Sequence, residues 1–141
     1  MKTSFDYHKA VQSINFMARK EGNTIDKHKL LKLLFFAERY HLRAYGRLIF
    51  FAPYWTMPLG PVCSPIKDIV EFSDFLSEKE RTYAQQFLSP GEISSHAMAS
   101  TAAVDEDEFS DTDLAALEWA YEHFGHLSTK SWVERCPNDF N

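Results

Sequence analysis

The segment DKHKLLKLLFFAERYHLRAYG, residues 26–46, restricts the possible folds more than any other part of the chain. Asp26 can cap a helix, helix formers run without interruption to Tyr45, and Gly46 supplies the stop. Leu30, Leu34, Ala37, His41 and Ala44 recur at helical spacing as one stripe, and Leu31, Phe35, Leu42 and Tyr45 widen it. An apolar arc this broad exceeds what a surface helix buries. The spacing therefore predicts a central helix, about 30 Å long, packed by neighbours on two sides.

Other elements follow from the same signals. A first helix is expected from about Tyr7 to Lys20, capped by Ser4 or Asp6, with Ala10, Val11, Ile14, Met17 and Ala18 inward and Gly22 as its stop. After Gly46 the composition turns aromatic and β-branched, which predicts short strands at Arg47–Phe51 and Tyr54–Met57 around Ala52-Pro53. Ser64-Pro65 starts a helix with Ile66, Ile69, Val70, Ser73 and Leu76 inward, and Ser77-Glu78-Lys79-Glu80 restarts one to about Leu88. Ile93, Ala97, Ala99 and Val104 fit a third, irregular strand, and the acidic run Asp105 to Glu108 reads as a solvated loop. Ser110 caps a helix over Asp111 to Phe124, with Leu114, Leu117, Tyr121 and Phe124 inward and Gly125 closing it. Ser128 caps a last short helix carrying Trp132 and Val133. The expected fold is mainly α with a small antiparallel β element, as a single domain over residues 1–141.

Composition matters mostly for what it excludes. A net charge of −5 makes nucleic acid an unfavourable main partner. No apolar run is long enough to span a bilayer, and the polar start MKTSFDYHKAVQS has no signal-peptide core. Cys63 and Cys136 are the only cysteines and lack C-x-x-C spacing, which points to free thiols in the reducing cytoplasm.

Catalytic motifs are missing as well. There is no Gly-rich phosphate loop, no H-E-x-x-H and no G-x-S-x-G. Glu38-x-x-His41 is half of the di-iron pattern of helical bundles, but no second copy follows, and His123-x-x-His126 is interrupted by Gly125. Neither Cys63 nor Cys136 has a local partner that would activate a thiolate. No metal, cofactor or catalytic residue is expected, and the chain reads as a binding protein rather than an enzyme.

Two features could form a binding surface. Lys29, Lys32, Arg39 and Arg43 make a basic stripe on the long helix. It is either a solvated face balanced by the surplus of acids, a phosphate-contacting edge, or, with Phe36 and Tyr40 alongside, a surface for an acidic or aromatic protein partner. The stretch MPLGPVCSP, residues 57–65, holds three prolines and a glycine in nine residues and must be a rigid corner. It either merely turns the chain, or presents Tyr54, Trp55, Pro58, Leu59 and Pro61 as a preorganised knob that loses little entropy on docking.

The helix DKHKLLKLLFFAERYHLRAYGR followed by MPLGPV, with the later FSDTDLAALEWAYEHFGHLSTKSW, resembles the Panacea domain of the SocA-like antitoxins over residues 7–135. The family motif falls on Lys29, Leu30, Lys32, Leu33, Phe36, Ala37, Tyr45, Gly46, Arg47, Gly60, Pro61 and Val62. The chain departs from the family pattern near its end, at Cys136-Pro137. The resemblance implies neutralisation of a cognate protein toxin, encoded next to this chain, by direct contact in a toxin–antitoxin or phage-defence system. The family is paired with many unrelated toxins, so the resemblance does not name the target. Some relatives carry a DNA-binding domain, for which this length leaves no expected room. The expected contact residues are Tyr54, Trp55, Pro58, Leu59 and Pro61, with Arg39 and Arg43 at the rim. The alternative is a nucleic-acid-binding regulator that uses the basic face of the second helix.

Overall fold

A computed structural model describes residues 6–49, 68–72, 76–90 and 96–126. Helix α1 spans Tyr7–Lys20, and its cap Asp6 accepts a hydrogen bond from the Lys9 amide. Gly22 and Asn23, both at positive φ, turn the chain into strand β1, Thr24–Asp26. Asp26 then caps helix α2, Lys27–Tyr45, and Gly46 ends it in the left-handed conformation. Helix α3, Glu78–Phe87, opens with the capping box of Ser77 and Glu80 and runs directly into strand β2, Leu88–Pro90. Strand β3, Ala97–Ser100, leads through a short 3₁₀ turn, Glu106–Glu108, to helix α4, Asp111–Phe124. The expected bounds of α1, α2 and α4 hold, and so does the class: mostly helical with a small antiparallel sheet.

Of the expected third strand, Ala97 and Ala99 lie in β3 while Val104 lies outside it, and the two strands that pair with β3 are at residues not predicted as strand. The sheet order is β1-β3-β2, with Ile25 opposite Met98 and Leu88 opposite Ser100, both pairings antiparallel. Ile25, Leu88 and Met98 are buried on one face of the sheet. Pro90 closes β2 on an edge, where a missing donor costs least. Arg47–Ile49 form no strand, because side chains of α2 take the backbone groups a ladder would use. The rest of the two expected strands, the helix start at Ser64-Pro65, Ile93, and the last helix with Trp132 lie outside the described residues. Residues 68–70 are helical, and Ile69 and Val70 are buried there as anticipated.

α2 is packed on two sides by α1 and α4. Leu30, Leu34, Ala37 and His41 of its expected stripe are buried, and Leu33, Phe36 and Glu38 join them. The stripe stops short of the C-terminus: Leu42, Ala44 and Tyr45 are exposed. α1 is buried over most of its circumference, including Gln12, Ser13 and Asn15. Two of these polar side chains hold the segment before α4. Gln12 accepts from the Asp105 amide and donates to the Tyr83 hydroxyl, and Asn15 donates to the Ala102 carbonyl. Burial, and then the nearby Glu108 and Asp105, push the Tyr83 hydroxyl up to about 12 against the Gln12 bond, so it stays protonated and can donate toward Glu108. The acidic run is thus pinned at Asp105 and Glu108 and exposed at Glu106 and Asp107.

Ile14 is fully buried at the middle of α1. Ile14→Ala is expected to cost about 2–5 kcal/mol, read as a lower urea midpoint with an unchanged m value. A loss below about 1 kcal/mol would remove Ile14 from the packed core.

Candidate functional site

Three of the buried polar side chains, Glu38, His41 and Asp113, converge where α2 ends. Gly46 turns the chain back on itself, and the Arg47–Ile49 backbone runs along the last turns of α2. The Arg47 carbonyl lies 2.6 Å from His41 Nδ1, and the Ile49 amide donates to Glu38 Oε1. Glu38 and His41 sit three residues apart and so share a helix face, which lets them hold alternate backbone groups of the returning chain. Both are buried.

α4 brings its N-terminus to the same place. Ser110 caps α4, and Asp113 closes the capping box by accepting from the Ser110 amide at 3.0 Å. Asp113 is also the charge centre of the cluster. Its Oδ2 lies 2.7 Å from Lys9 Nζ of α1, and its Oδ1 lies 3.3 Å from both Arg47 and His41 Nε2. Arg47 further donates to the Ser110 hydroxyl at 3.0 Å. Burial alone would raise the Asp113 carboxyl, but the Lys9 hydrogen bond, the Ser110 amide and the charges of Lys9 and Arg47 outweigh it and hold it below its ordinary 3.8.

Hydrogen-bond chemistry fixes what His41 does. A carbonyl can only accept, so Nδ1 facing Arg47 carries the proton. Nε2 is left with the Thr112 hydroxyl at 2.9 Å and the Asp113 carboxylate at 3.3 Å. A hydroxyl–imidazole–carboxylate relay needs the hydroxyl on one ring nitrogen and the carboxylate on the other. Here both crowd the same nitrogen, so the cluster is arranged for holding rather than for proton transfer. In the half-motif for a metal, Glu38 Oε1 and His41 Nδ1 meet backbone groups and His41 Nε2 meets Thr112 and Asp113, and among the described residues no group of three His, Cys, Asp or Glu side chains is placed to hold an ion.

A second knot ties the opposite ends of the same helices. Glu21 at the end of α1 accepts from Tyr121 of α4 at 2.6 Å and pairs with Lys29 of α2 at 2.8 Å. Burial, then the Glu21 carboxylate, push the Tyr121 hydroxyl up to about 12.

The basic stripe is therefore not uniform. Lys29 is paired, Lys32 and Arg39 are half-buried, and Arg43 is exposed. Phe36, expected beside the stripe as surface, is buried because it stacks on Phe124 at 4.4 Å between α2 and α4. Tyr40 is half-buried and stacks on Trp119 at 4.4 Å. Tyr54, Trp55, Pro58, Leu59, Gly60, Pro61, Val62 and both cysteines lie outside the described residues. Sequence reasoning missed Lys9, Trp119 and Asp113. Only Asp113 carried a signal, as the third residue after the Ser110 cap.

The family model for the SocA-like antitoxin Panacea domain matches residues 30–138. The chain belongs to that family. No curated protein and no solved structure matches it significantly. The family points to a toxin–antitoxin role and a non-catalytic one. No helix among the described residues is long and apolar enough to cross a membrane. Within this Panacea domain the motif residues have distinct structural roles. Leu30, Leu33, Phe36 and Ala37 fill the core, Gly46 makes the reversal, and Arg47 joins the Asp113 cluster.

Asp113→Asn keeps the shape but leaves Lys9 and Arg47 without their counter-charge, and is expected to cost about 3 kcal/mol at neutral pH. The unfolded carboxyl takes its proton near 3.8 and the folded one only lower, so this stabilisation is complete above 3.8 and is lost as pH falls through the folded value. Urea titrations from pH 7 down to pH 3 are expected to show the gap between wild type and variant narrowing below that point. A gap independent of pH would contradict the charge role.

Proposed function

We propose that this Panacea domain acts as an antitoxin that neutralises a cognate protein toxin, encoded beside it, by direct contact in the cytoplasm. The contact surface is Tyr54, Trp55, Pro58, Leu59 and Pro61, with Arg39 and Arg43 as charged support at its rim. One observation carries the reading beyond family membership. The buried Glu38 and His41, the residues best suited to chemistry, hold the backbone at Ile49 and Arg47, on the chain that leads toward residues 54–61, the stretch that the sequence reads as a proline-braced knob. A scaffold that commits its buried polar groups to fixing where a segment departs is suited to presenting that segment to a partner. Preorganisation lowers the ordering cost of association, which is where such a module gains affinity.

The alternative of a nucleic-acid regulator is less well supported. Lys29 already has Glu21 as counter-charge, and the chain as a whole is acidic.

The test is genetic first and biophysical second. Expression of the neighbouring gene alone is expected to arrest growth, and co-expression of this chain to restore it. With purified proteins, Trp55→Ala is expected to weaken binding by more than about 1 kcal/mol, roughly fivefold, in titration calorimetry. Unchanged affinity in a variant that still unfolds cooperatively would remove Trp55 from the contact surface.

A further inference from the structure

The outer edge of the α2–α4 pair carries an aromatic arrangement that the contact surface above does not use and meets only at its rim, Arg39 and Arg43. Tyr40 stacks on Trp119 at 4.4 Å with rings 17° apart, and Trp119 stacks on His123 at 4.6 Å. His123 is oriented by its own bond, Nδ1 to the Trp119 carbonyl at 2.9 Å. Tyr40 and Trp119 are half-buried and His123 is exposed, so the three rings form a seam open to solvent on one side.

The two banks of the seam differ in charge. On α2, Arg39 at i−1 and Arg43 at i+3 lie to the same side of Tyr40, and Lys32 falls between them around the helix. α2 carries five Lys and Arg and one carboxylate, Glu38, and of the five Lys29 is paired with Glu21 of α1. Glu38 lies buried on another face, bonded to Ile49. On α4 the residue next to Trp119 on the outward side is Glu122, exposed, with Glu118 beyond it. The seam is basic along one bank, aromatic in the middle and acidic along the other.

We infer that this seam is a second docking surface for the toxin, and that it receives an amphipathic helix with an apolar middle, carboxylates along one edge and Lys or Arg along the other. The inference rests on the antitoxin reading. Charge complementarity selects the occupant: a phosphate backbone is negative on every side and would meet Glu122 and Glu118, whereas a helix with two oppositely charged edges satisfies both banks at once. The aromatic middle supplies contact area from rings that are already stacked and lose little freedom on binding. The opposed banks also fix the direction in which the helix lies, because a reversed helix places like charges together.

The measurement uses the toxin identified by growth rescue, titrated against full-length variants by calorimetry. Arg43→Glu and Glu122→Lys are both exposed changes, and each is expected to weaken binding at least tenfold, while Lys79→Glu on the exposed start of α3 leaves it unchanged. Trp119→Ala is expected to weaken it further, and hydrogen exchange on the wild-type complex to slow over residues 39–45 and 115–123. Glu122→Lys is the deciding variant. If it tightens binding while Arg43→Glu weakens it, the partner presents only negative charge and the proposed occupant is wrong. If a 20-base-pair DNA duplex binds and responds to these variants while the toxin does not, the seam belongs to nucleic acid instead. Unchanged toxin affinity in Glu122→Lys and Trp119→Ala would overturn this inference alone, since Arg43 also borders the contact surface above. A wild-type chain that fails to bind the toxin would overturn the antitoxin reading itself.

Discussion

The carboxylate of Asp113 is the interaction on which the rest of the arrangement depends. It is fully buried, and a buried charge is tolerated only when its partners are in place. Those partners come from three places in the chain: Lys9 from α1, Arg47 from the reversal that follows α2, and the Ser110 amide at the cap of α4 itself. Assembling the cluster therefore assembles the helices. Beside the cluster, Arg47–Ile49 is not a strand, because the Arg47 carbonyl and the Ile49 amide are held by the side chains of His41 and Glu38.

α1 shows the same economy in another form. A helix buried on most sides usually reads as apolar throughout, yet this one keeps Gln12, Ser13 and Asn15 inside. Gln12 and Asn15 replace backbone pairing for the irregular segment between β3 and α4, whose amide and carbonyl groups would otherwise go unsatisfied against the core. Polar residues at core positions here secure a loop, which a purely hydrophobic α1 could not do.

What could be read from the sequence follows from the range of the interactions concerned. Helix ends are local: Asp6, Asp26, Ser77 and Ser110 bond amides two or three residues away, and each helix start they mark is where the residues put it. The apolar stripe of α2 was legible for the same reason as far as His41, and failed at Ala44, which is exposed. The three-stranded sheet was mostly hidden. Its strands are three or four residues long, and Thr24–Asp26 and Leu88–Pro90 are strands only because Ala97–Ser100 lies between them. The candidate site was hidden more deeply. Glu38 and His41 were visible as a pair with chemical potential, but their use depends on a chain reversal that brings Ile49 beside Glu38. Phe36 was placed on the wrong surface because its partner, Phe124, is far away in sequence.

The two polar knots lie at opposite ends of the same three helices, Asp113 at one and Glu21 at the other. Side chains such as Leu33, Ala37, Ala116 and Ala120 pack without regard to direction, and a seam of this kind tolerates sliding by one helical turn, about 5.4 Å. Such a slip would strand Asp113 and Glu21 together, since neither could find its cation at the new setting. A pair of ionic pegs at the two ends thus works as a vernier, selecting a single register for a bundle whose greasy interior would accept several.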